Sequence, residues 1–188
     1  ALEAATGSLS NLLRQASFAS ETVTDTFFVR SGAMLNFGSF NTPQYSATLA
    51  LRDGFVSGSA TLTYANTLPA LTSSPAALTS DYYILDAERG SIKLMGVDLR
   101  NKFVRVSYTK GFAADDTNTD EFSADDVPEW LSAAAKAHAV GTLFNTKPEY
   151  MGGDQGPDGQ SADMHHQLAA DMLTPYIRYF PNALRPLN

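Results

Sequence analysis

Histidines and carboxylates are the residues of this chain that could do chemistry, and their spacing limits what that chemistry could be. The 188 residues contain three histidines and no cysteine, so thiolate metal ligands, disulfides and cysteine nucleophiles are excluded. His165 and His166 are adjacent, and on a helix their side chains would point about 100° apart, unlike an i, i+4 pair that can chelate one ion. Asp163 or Asp171 could join one of them, but a solvated polar helix face is the simpler interpretation.

No catalytic or nucleotide-binding motif accompanies these residues. The sequence contains no Gly-x-Ser-x-Gly elbow, no P-loop and no Gly-x-Gly-x-x-Gly fingerprint. Carboxylates cluster in residues 113–121, but glycosidase chemistry needs two carboxyl groups held in a rigid cleft. Asp115, Asp116 and Asp120 also lack the ordered spacing and central glycine of an EF-hand loop. We therefore expect no enzymatic activity and no metal or cofactor, and we interpret the cluster as a solvated linker.

Negative charge is concentrated in the last part of the chain. Residues 1 to 110 hold nine Lys and Arg against eight Asp and Glu, whereas residues 111 to 188 hold four against twelve, so the two parts carry +1 and −8. An acidic segment repels polyanions, which makes sequence-specific DNA binding through phosphate neutralisation a poor interpretation. The same charge suits a wall along which DNA passes without sticking.

Helical periodicity marks both ends of the chain. Ser8 can cap a first helix with one apolar stripe of Leu9, Leu12, Leu13 and Ala16. A second helix opens at Asp125-Asp126-Val127-Pro128 and has one ridge of Val127, Leu131, Ala134, His138, Gly141 and Asn145, beside Trp130, Ala137 and Phe144. His138 is therefore expected to be an interface or core imidazole. A last helix from about Ser161 to Leu173 carries Met164, Leu168 and Met172, and Pro175 ends it.

Between these helices the pattern is that of β-strands. Strand-like runs begin at Val23 and Tyr45, and Asp53-Gly54 predicts a hairpin between Tyr45–Leu51 and Ala60–Tyr64. Gly90 can close a second hairpin between Tyr82–Asp86 and Ser91–Met95, and Phe103–Thr109 alternates as a half-buried strand. Alternation places in the core Ile84, Ile92, Leu94, Val104, Val106 and Tyr108, and at the surface Lys93, Arg105 and Lys110.

These elements predict an α+β fold. An antiparallel β-sheet module, a sandwich or a barrel-like structure, is inserted between an N-terminal helix and two C-terminal helices that form a small bundle. The expected parts are an N-terminal helix in residues 1–20, the β module in 21–112, an acidic linker in 113–126, the helical part in 127–180 and a C-terminal tail in 181–188. No apolar run approaches the roughly 20 residues of a membrane span, so we expect no membrane contact.

The order of these signals resembles the head-to-tail connector (adaptor) proteins of tailed bacteriophages. In such sequences a stretch like Leu49-Ala50-Leu51 precedes runs like Asp81–Asp86, Glu88–Leu94 and Val104–Phe112. An acidic link, a helix opening like Val127-Pro128-Glu129-Trp130-Leu131 and a closing run like Leu173–Arg178 then follow. The resemblance covers roughly residues 45 to 180. The large β module departs from the simplest, mostly helical members of that family.

The resemblance implies a virion structural protein, assembled in the host cytoplasm, that forms a homo-oligomeric ring of twelve copies. The ring would bind the portal protein and the next neck or tail protein, and it would surround the genomic DNA without sequence-specific binding. Interface residues expected for this role are Leu9, Leu12, Leu13, Trp130, Leu131, His138, Phe144, Leu168, Met172, Tyr176, Ile177, Arg178, Tyr179 and Phe180. The tail from Tyr176 to Asn188 would reach the portal.

Two other readings of the same sequence remain open. One is a tail terminator or tube component, which would form rings of three-fold or six-fold symmetry. The other is a carbohydrate- or host-binding β-sandwich of a virion, which predicts an exposed aromatic platform among Tyr45, Tyr64, Tyr82 and Tyr83. The number of copies in the oligomer separates the adaptor from the first alternative, and glycan binding by the β module would identify the second.

Overall fold

A computed structural model describes residues 9, 13, 18–30, 35–37, 43–113, 127–146 and 162–187. The chain divides into two compact units. The helical unit consists of Ala1–Phe18 and Phe112–Ile177, and the β unit consists of Ala19–Gly111 and Arg178–Asn188. No helix among the described residues is long and apolar enough to cross a membrane.

The described residues of the β unit form two antiparallel four-stranded sheets. Its strands are β1 Glu21–Val29, β2 Leu35–Phe37, β3 Pro43–Ala50, β4 Val56–Ala65, β5 Ala76–Leu78, β6 Tyr83–Asp86, β7 Ser91–Met95 and β8 Lys102–Lys110. The first sheet has the order β1-β8-β4-β5 and the second has the order β2-β3-β7-β6. Buried residues of both sheets form one hydrophobic core, so the β unit is a sandwich that is not closed into a barrel.

The alternation read from the sequence determines most of this core. Val104, Val106 and Tyr108 of β8 are buried, as are Ile92 and Leu94 of β7, which confirms their predicted positions. Burying these β-branched and leucine side chains contributes about 1.5 to 3 kcal/mol each. The regular period of two therefore fixes which face of each strand meets the other sheet.

Two residues are placed on the wrong side by the sequence reasoning. Ile84 is 55% exposed, because β6 is an edge strand whose neighbours Tyr83 and Leu85 are the residues that pack against the core. Lys110 is only 5% exposed, because it continues the inward face of β8 and finds buried and partly exposed carboxylates there. The edge position of β6 therefore explains the exposure of Ile84, and the nearby carboxylates explain the burial of Lys110.

The hairpin predicted at Asp53-Gly54 is also wrong. β3 pairs with β2 and β7, whereas β4 pairs with β5 and β8, so the two strands belong to different sheets. Asp53-Gly54 lies in the connection that crosses from one sheet to the other. Its conformation is held by main-chain bonds from Leu51 N to Gly90 O and from Phe55 N to Glu88 O, both between 2.9 and 3.1 Å.

The hairpin at Gly90 is confirmed. β6 and β7 pair antiparallel, and Gly90 has φ +64°, a conformation that glycine adopts without steric cost. Gly90 also lies against Asp53, because a Cβ built on it would be 2.0 Å from the Asp53 carbonyl oxygen. The loop between β4 and β5 contains a short helix, α1 Leu68–Ser73, capped by the Thr67 side chain.

Within its described residues the helical unit contains the longer helices α2 Glu129–Thr146 and α3 Ala162–Leu173, the second followed by a 3-10 turn at Thr174–Tyr176. Leu9 and Leu13 are also helical, and the rest of the predicted N-terminal helix lies outside the described residues. The helices pack antiparallel, since Trp130 at the start of α2 stacks on Tyr176 and Phe144 near its end stacks on His165. Gly141 permits this approach, because its Cβ would lie 3.0 Å from the Ala162 carbonyl oxygen. In the part of the chain that the structure describes, helices and two antiparallel sheets occur together, which confirms the predicted α+β class.

A matched pair of glycine substitutions tests the close packing at the hairpin. Gly58 and Gly90 both have positive φ, but a Cβ on Gly58 would meet nothing within 4 Å. Gly58→Ala is expected to cost about 1 kcal/mol of stability from backbone strain alone. Gly90→Ala adds a clash with the Asp53 backbone and is expected to cost roughly 3 to 5 kcal/mol. Urea unfolding of both variants measures the difference, and equal costs would contradict the packing described.

Candidate assembly surfaces

The segment Arg178–Leu187, which we call the strap, is bound along the β unit. Leu184 forms a parallel bridge with Leu49 of β3. Its amide donates to the Thr48 carbonyl oxygen at 2.8 Å, and its carbonyl accepts from the Ala50 amide at 2.9 Å. The strap therefore satisfies main-chain groups of β3 on the side away from β7.

The strap also reaches the other sheet. The Leu187 amide donates to the carbonyl oxygen of Thr26 at 2.6 Å, and Thr26 belongs to β1, which is an edge strand of the first sheet. An exposed strand edge offers unpaired main-chain groups to other chains. The strap thus forms main-chain hydrogen bonds with both sheets of the sandwich.

Arg178 anchors the start of the strap. The residue is only 6% exposed, and its guanidinium donates to three main-chain carbonyl oxygens, those of Arg89 and Arg52 at 2.7 Å each and that of Leu51. Burial lowers the pKa of Arg178 from its ordinary value, and the nearby Asp53 carboxylate opposes that effect. A planar group with five N–H donors matches such a set of converging acceptors.

A buried polar network lies in the same part of the β unit. The Tyr108 hydroxyl donates to Asp25 Oδ2 at 2.9 Å and accepts from the Asp53 amide at 3.2 Å. Asp25 also accepts from the Arg52 amide at 2.7 Å, and it is completely buried. Burial, ahead of the neighbouring carboxylates, raises the pKa of Tyr108. A phenol held protonated in this way is a structural hydrogen-bond donor and a poor acid or base.

Lys110 completes the charge balance of this network. Its ammonium lies 3.3 Å from a carboxylate oxygen of Asp53 and 3.3 Å from one of Glu21. Asp53 is almost fully buried, whereas Glu21 is exposed. A buried charge is tolerated only when it is paired, so this lysine faces inward because the acid is already there.

The predicted interface residues of the helical unit divide into buried and exposed groups. Leu9, Leu13, Leu131 and Phe144 are buried, and Trp130 stacks on Tyr176 with ring centroids 3.7 Å apart. These side chains pack within the chain itself. Leu12 lies outside the described residues.

The exposed group forms a stripe on α3. Met164 is 58% and Leu168 is 46% exposed, and Met172 follows one turn later in a half-buried position. We call Met164, Leu168 and Met172 the α3 stripe. The opposite side of the helix is buried through Ala169 and Leu173, so the stripe points away from the core of the helical unit. Leu143 on α2 is a further exposed apolar side chain.

His138 packs between the two helices. Its ring meets that of His166 edge to face with centroids 4.7 Å apart, and its Nδ1 lies 3.5 Å from the Thr142 hydroxyl. Burial, and then the neighbouring His166, lower the pKa of His138 from its ordinary value. Within the described residues no group of three or more His, Asp and Glu side chains could hold a metal ion.

An apolar cavity of about 160 Å³ lies in the helical unit. Among the described residues its wall is formed by Leu9, Phe18, Phe112, Val127, Leu131, Ser132 and Ala135. Ser132 is the polar side chain of this set, and a lone hydroxyl without a base cannot act as a nucleophile.

The structure changes the expected role of the tail. Arg178 is predicted as a partner contact, yet its guanidinium is held by carbonyl oxygens of its own chain. Tyr179 beside it is 69% exposed, and Ile177 and Phe180 are half-buried. Of the predicted tail contacts, Tyr179 offers the largest free surface to a partner.

Of the tyrosines considered for a glycan platform, Tyr83 and Tyr64 contact different partners within the chain. The Tyr83 hydroxyl donates to the Ala60 carbonyl oxygen at 2.8 Å. The Lys102 ammonium lies 5.4 Å from the centre of the Tyr64 ring, and Tyr82 is exposed. The Tyr45 side chain lies outside the described residues.

Sequence reasoning missed the buried network and the strap. Asp25 gave a usable signal, because it shares the inward register of β1 with Phe27 and Val29, and an inward carboxylate requires a partner. Arg178 gave no comparable signal, since its acceptors are main-chain oxygens of residues about 90 and 126 positions earlier in the chain.

No family model and no curated protein matches this chain. Among solved structures it is similar to a chain described as the neck of an empty GTA particle computed with C6 symmetry. The identity is 12%, the TM-score is 0.42, and the match covers 89% of this chain and 73% of the other. A likeness at this level does not carry a functional argument.

Arg178→Ala tests the anchor of the strap. The substitution removes the donor to one buried and two part-buried carbonyl oxygens, so we expect a loss of about 2 to 4 kcal/mol of stability. Arg185→Ala is the matched control, because Arg185 is exposed and its contact to the Phe180 carbonyl oxygen is long, at 3.4 Å. The control should change stability by less than about 0.5 kcal/mol. Chemical unfolding gives both values, and similar losses in the two variants would refute the anchor.

The His138 ring contact predicts a pH dependence of stability. Because the pKa of His138 is lowered in the folded chain, the unfolded chain binds more protons as the pH falls below about 6.5. Stability is therefore complete above that pH and declines as the pH falls toward the lower folded pKa. Thermal unfolding between about pH 8 and pH 5.5 measures the slope. His138→Gln should reduce it, whereas Lys136→Gln, an exposed substitution on the same helix, should retain the wild-type slope.

Proposed function

We propose that this chain is a structural protein of a tailed-phage-like virion and forms an adaptor ring between the portal and the tail. The observation that carries the proposal is the α3 stripe, where two large apolar side chains, Met164 and Leu168, are about half exposed on a helix whose other side is buried. The ordered sequence signals from Leu49 to Arg178 that resemble phage adaptors point to the same role.

The α3 stripe has the properties of a helix contact surface. Its members are spaced at i, i+4 and i+8, so they lie in one row along the helix. Polar side chains border the row, and one of them, Gln167, donates to the Asp171 carboxylate at 2.7 Å. A polar border around an apolar centre is the usual anatomy of a protein interface. A neighbouring copy of this chain is the partner we propose.

A closed ring with one type of neighbour contact requires two different faces on each subunit. The α3 stripe supplies one face. Leu143 on α2, 38% exposed, is an apolar point on the other helix and is the candidate centre of the second face. Ring closure by such a heterologous contact needs no symmetry within the subunit.

The charge distribution fits a protein that surrounds DNA without holding it. Residues 111 to 188 carry a net charge of −8, and most of them belong to the helical unit. An acidic lumen repels the phosphate backbone and lets a duplex slide. In this proposal the helical unit faces the channel, and the exposed Tyr179 side chain contacts the portal.

We propose a structural and not an enzymatic role. The three histidines are engaged in ring contacts with each other and with Phe144. Asp25 and Asp53, which are buried, are bound by Tyr108 and Lys110. These groups stabilise the fold and are not presented to a substrate.

Leu168→Glu tests the α3 stripe as the ring contact. Placing a charge in an apolar interface should weaken assembly by at least about tenfold in protein concentration. Ser59→Glu introduces the same residue at an exposed position of β4, outside the proposed contact, and should assemble like the wild type. Native mass spectrometry and negative-stain imaging, with and without portal protein, measure the number of copies.

The wild-type protein is expected to form rings of twelve copies in that experiment. Rings of three or six copies would favour the tail terminator or tube component. A wild-type protein that stays monomeric alone and with portal would contradict the adaptor. Equal assembly of Leu168→Glu and Ser59→Glu would exclude the α3 stripe as the contact while leaving ring formation intact.

A further inference from the structure

We propose that the strap is an exchangeable segment, and that in the assembled oligomer the strap of one copy docks on the β unit of a neighbouring copy. The inference rests on the proposed ring, since it needs neighbouring copies held side by side. It identifies a second interaction surface, distinct from the α3 stripe, and a partner for it, a second copy of this chain.

The site that receives the strap is built from the main chain of the β unit. Arg178 is bound by three carbonyl oxygens in the segments around Leu51 and Arg89. The remaining bonds are to main-chain groups of Thr48, Ala50 and Thr26. All of these acceptors and donors lie in Ala19–Gly111. The receiving site therefore depends on the folded β unit and not on which chain supplies the strap.

The connectivity of the chain separates the strap from its own site. Phe112–Ile177, which belongs to the helical unit, stands in the sequence between the strands and the strap. A single peptide link at Ile177–Arg178 joins the strap to that unit. A segment attached in this way can dock on a neighbour with every contact conserved, which is the condition for domain swapping.

Local concentration then decides which copy receives the strap. In a dilute monomer only the chain's own site is within reach. In a ring the neighbouring site is fixed nearby, and tethering gives effective concentrations of about millimolar. Arg178 keeps the exchange specific, because a guanidinium that must meet three carbonyl oxygens admits one register of docking. The exchange would couple neighbouring subunits through main-chain bonds in addition to the apolar contacts of α3.

Cysteine cross-linking can detect the exchange directly, because the natural chain has no cysteine. Leu49 and Leu184 are bridge partners, so their Cα atoms lie within the range that a disulfide spans. The variant Leu49→Cys and a differently tagged variant Leu184→Cys are co-expressed, purified as the oligomer and oxidised. A covalent product between the two tags can form only when a strap lies on another copy. We expect this product, and we expect a ladder of covalent multimers from the double variant.

Leu49 is fully buried, so replacing it with cysteine can disturb folding. A second pair of cysteine positions, at less buried residues, therefore serves as a control. Thr26→Cys with Leu187→Cys changes a half-buried and an exposed residue whose main-chain atoms are 2.6 Å apart, and a short bismaleimide joins the thiols. Adding Arg178→Ala should lower the yield of intermolecular product by more than about tenfold. Adding Lys93→Ala, which changes an exposed residue outside the strap, should leave the yield unchanged.

The outcomes separate this inference from the proposed function. Oligomers of the expected size that give only intramolecular links, or no links between copies with either pair, overturn the exchange and leave the ring standing. Intermolecular links in a dimer that never forms rings support the exchange and count against the adaptor. A protein that is monomeric alone and with portal overturns both.

Discussion

The pairing of buried charge is the constraint on which the β unit depends. Asp25, Asp53, Lys110 and Arg178 are each less than about a tenth exposed, in an environment where an unpaired ion is unfavourable by several kcal/mol. Each group has its partner. Asp25 is bonded by Tyr108 and by the Arg52 amide, Asp53 lies beside Lys110, and Arg178 is bound by main-chain oxygens. Losing Lys110 would leave the Asp53 carboxylate without its buried counter-charge, and losing Arg178 would leave its three carbonyl oxygens without their donor.

This network also determines how the connecting segments are arranged. The crossover after β3 and the turn before β7 both present carbonyl oxygens to Arg178, and Gly90 allows the turn to lie against Asp53. Without the guanidinium, several carbonyl dipoles would converge with no donor between them. The strap is therefore part of the folded β unit, and the tail after Ile177 does not begin as a free arm. Its first residue is the most deeply buried of Ile177–Leu187.

Local patterns in the sequence were sufficient for much of the fold and for little of the strap. The inward faces of β7 and β8, the hairpin at Gly90 and the helices α2 and α3 follow from periods of two and 3.6 and from turn residues. The pairing of β3 with β7 instead of β4 does not, because Asp53-Gly54 is a turn signal that reports local conformation and not the partner strand. Ile84 shows the same limit, since alternation cannot tell an edge strand from a central one. Arg178 depends on acceptors that only the tertiary structure brings together.

The helical unit shows why close packing inside a subunit leaves apolar surface outside it. Gly141 lets α3 approach α2 until a Cβ there would lie 3.0 Å from the Ala162 carbonyl oxygen and from the His166 ring. At this point of closest approach α3 presents its main chain and a histidine ring, and farther along the helix its buried side carries Ala169 and Leu173. Met164 and Leu168 lie on another side of the helix, where they are about half exposed. The helix pair is thus compact on one side of α3 and leaves a row of apolar side chains on another, and covering that row with a neighbouring subunit would gain about 25 cal/mol for each Å² of apolar surface removed from water.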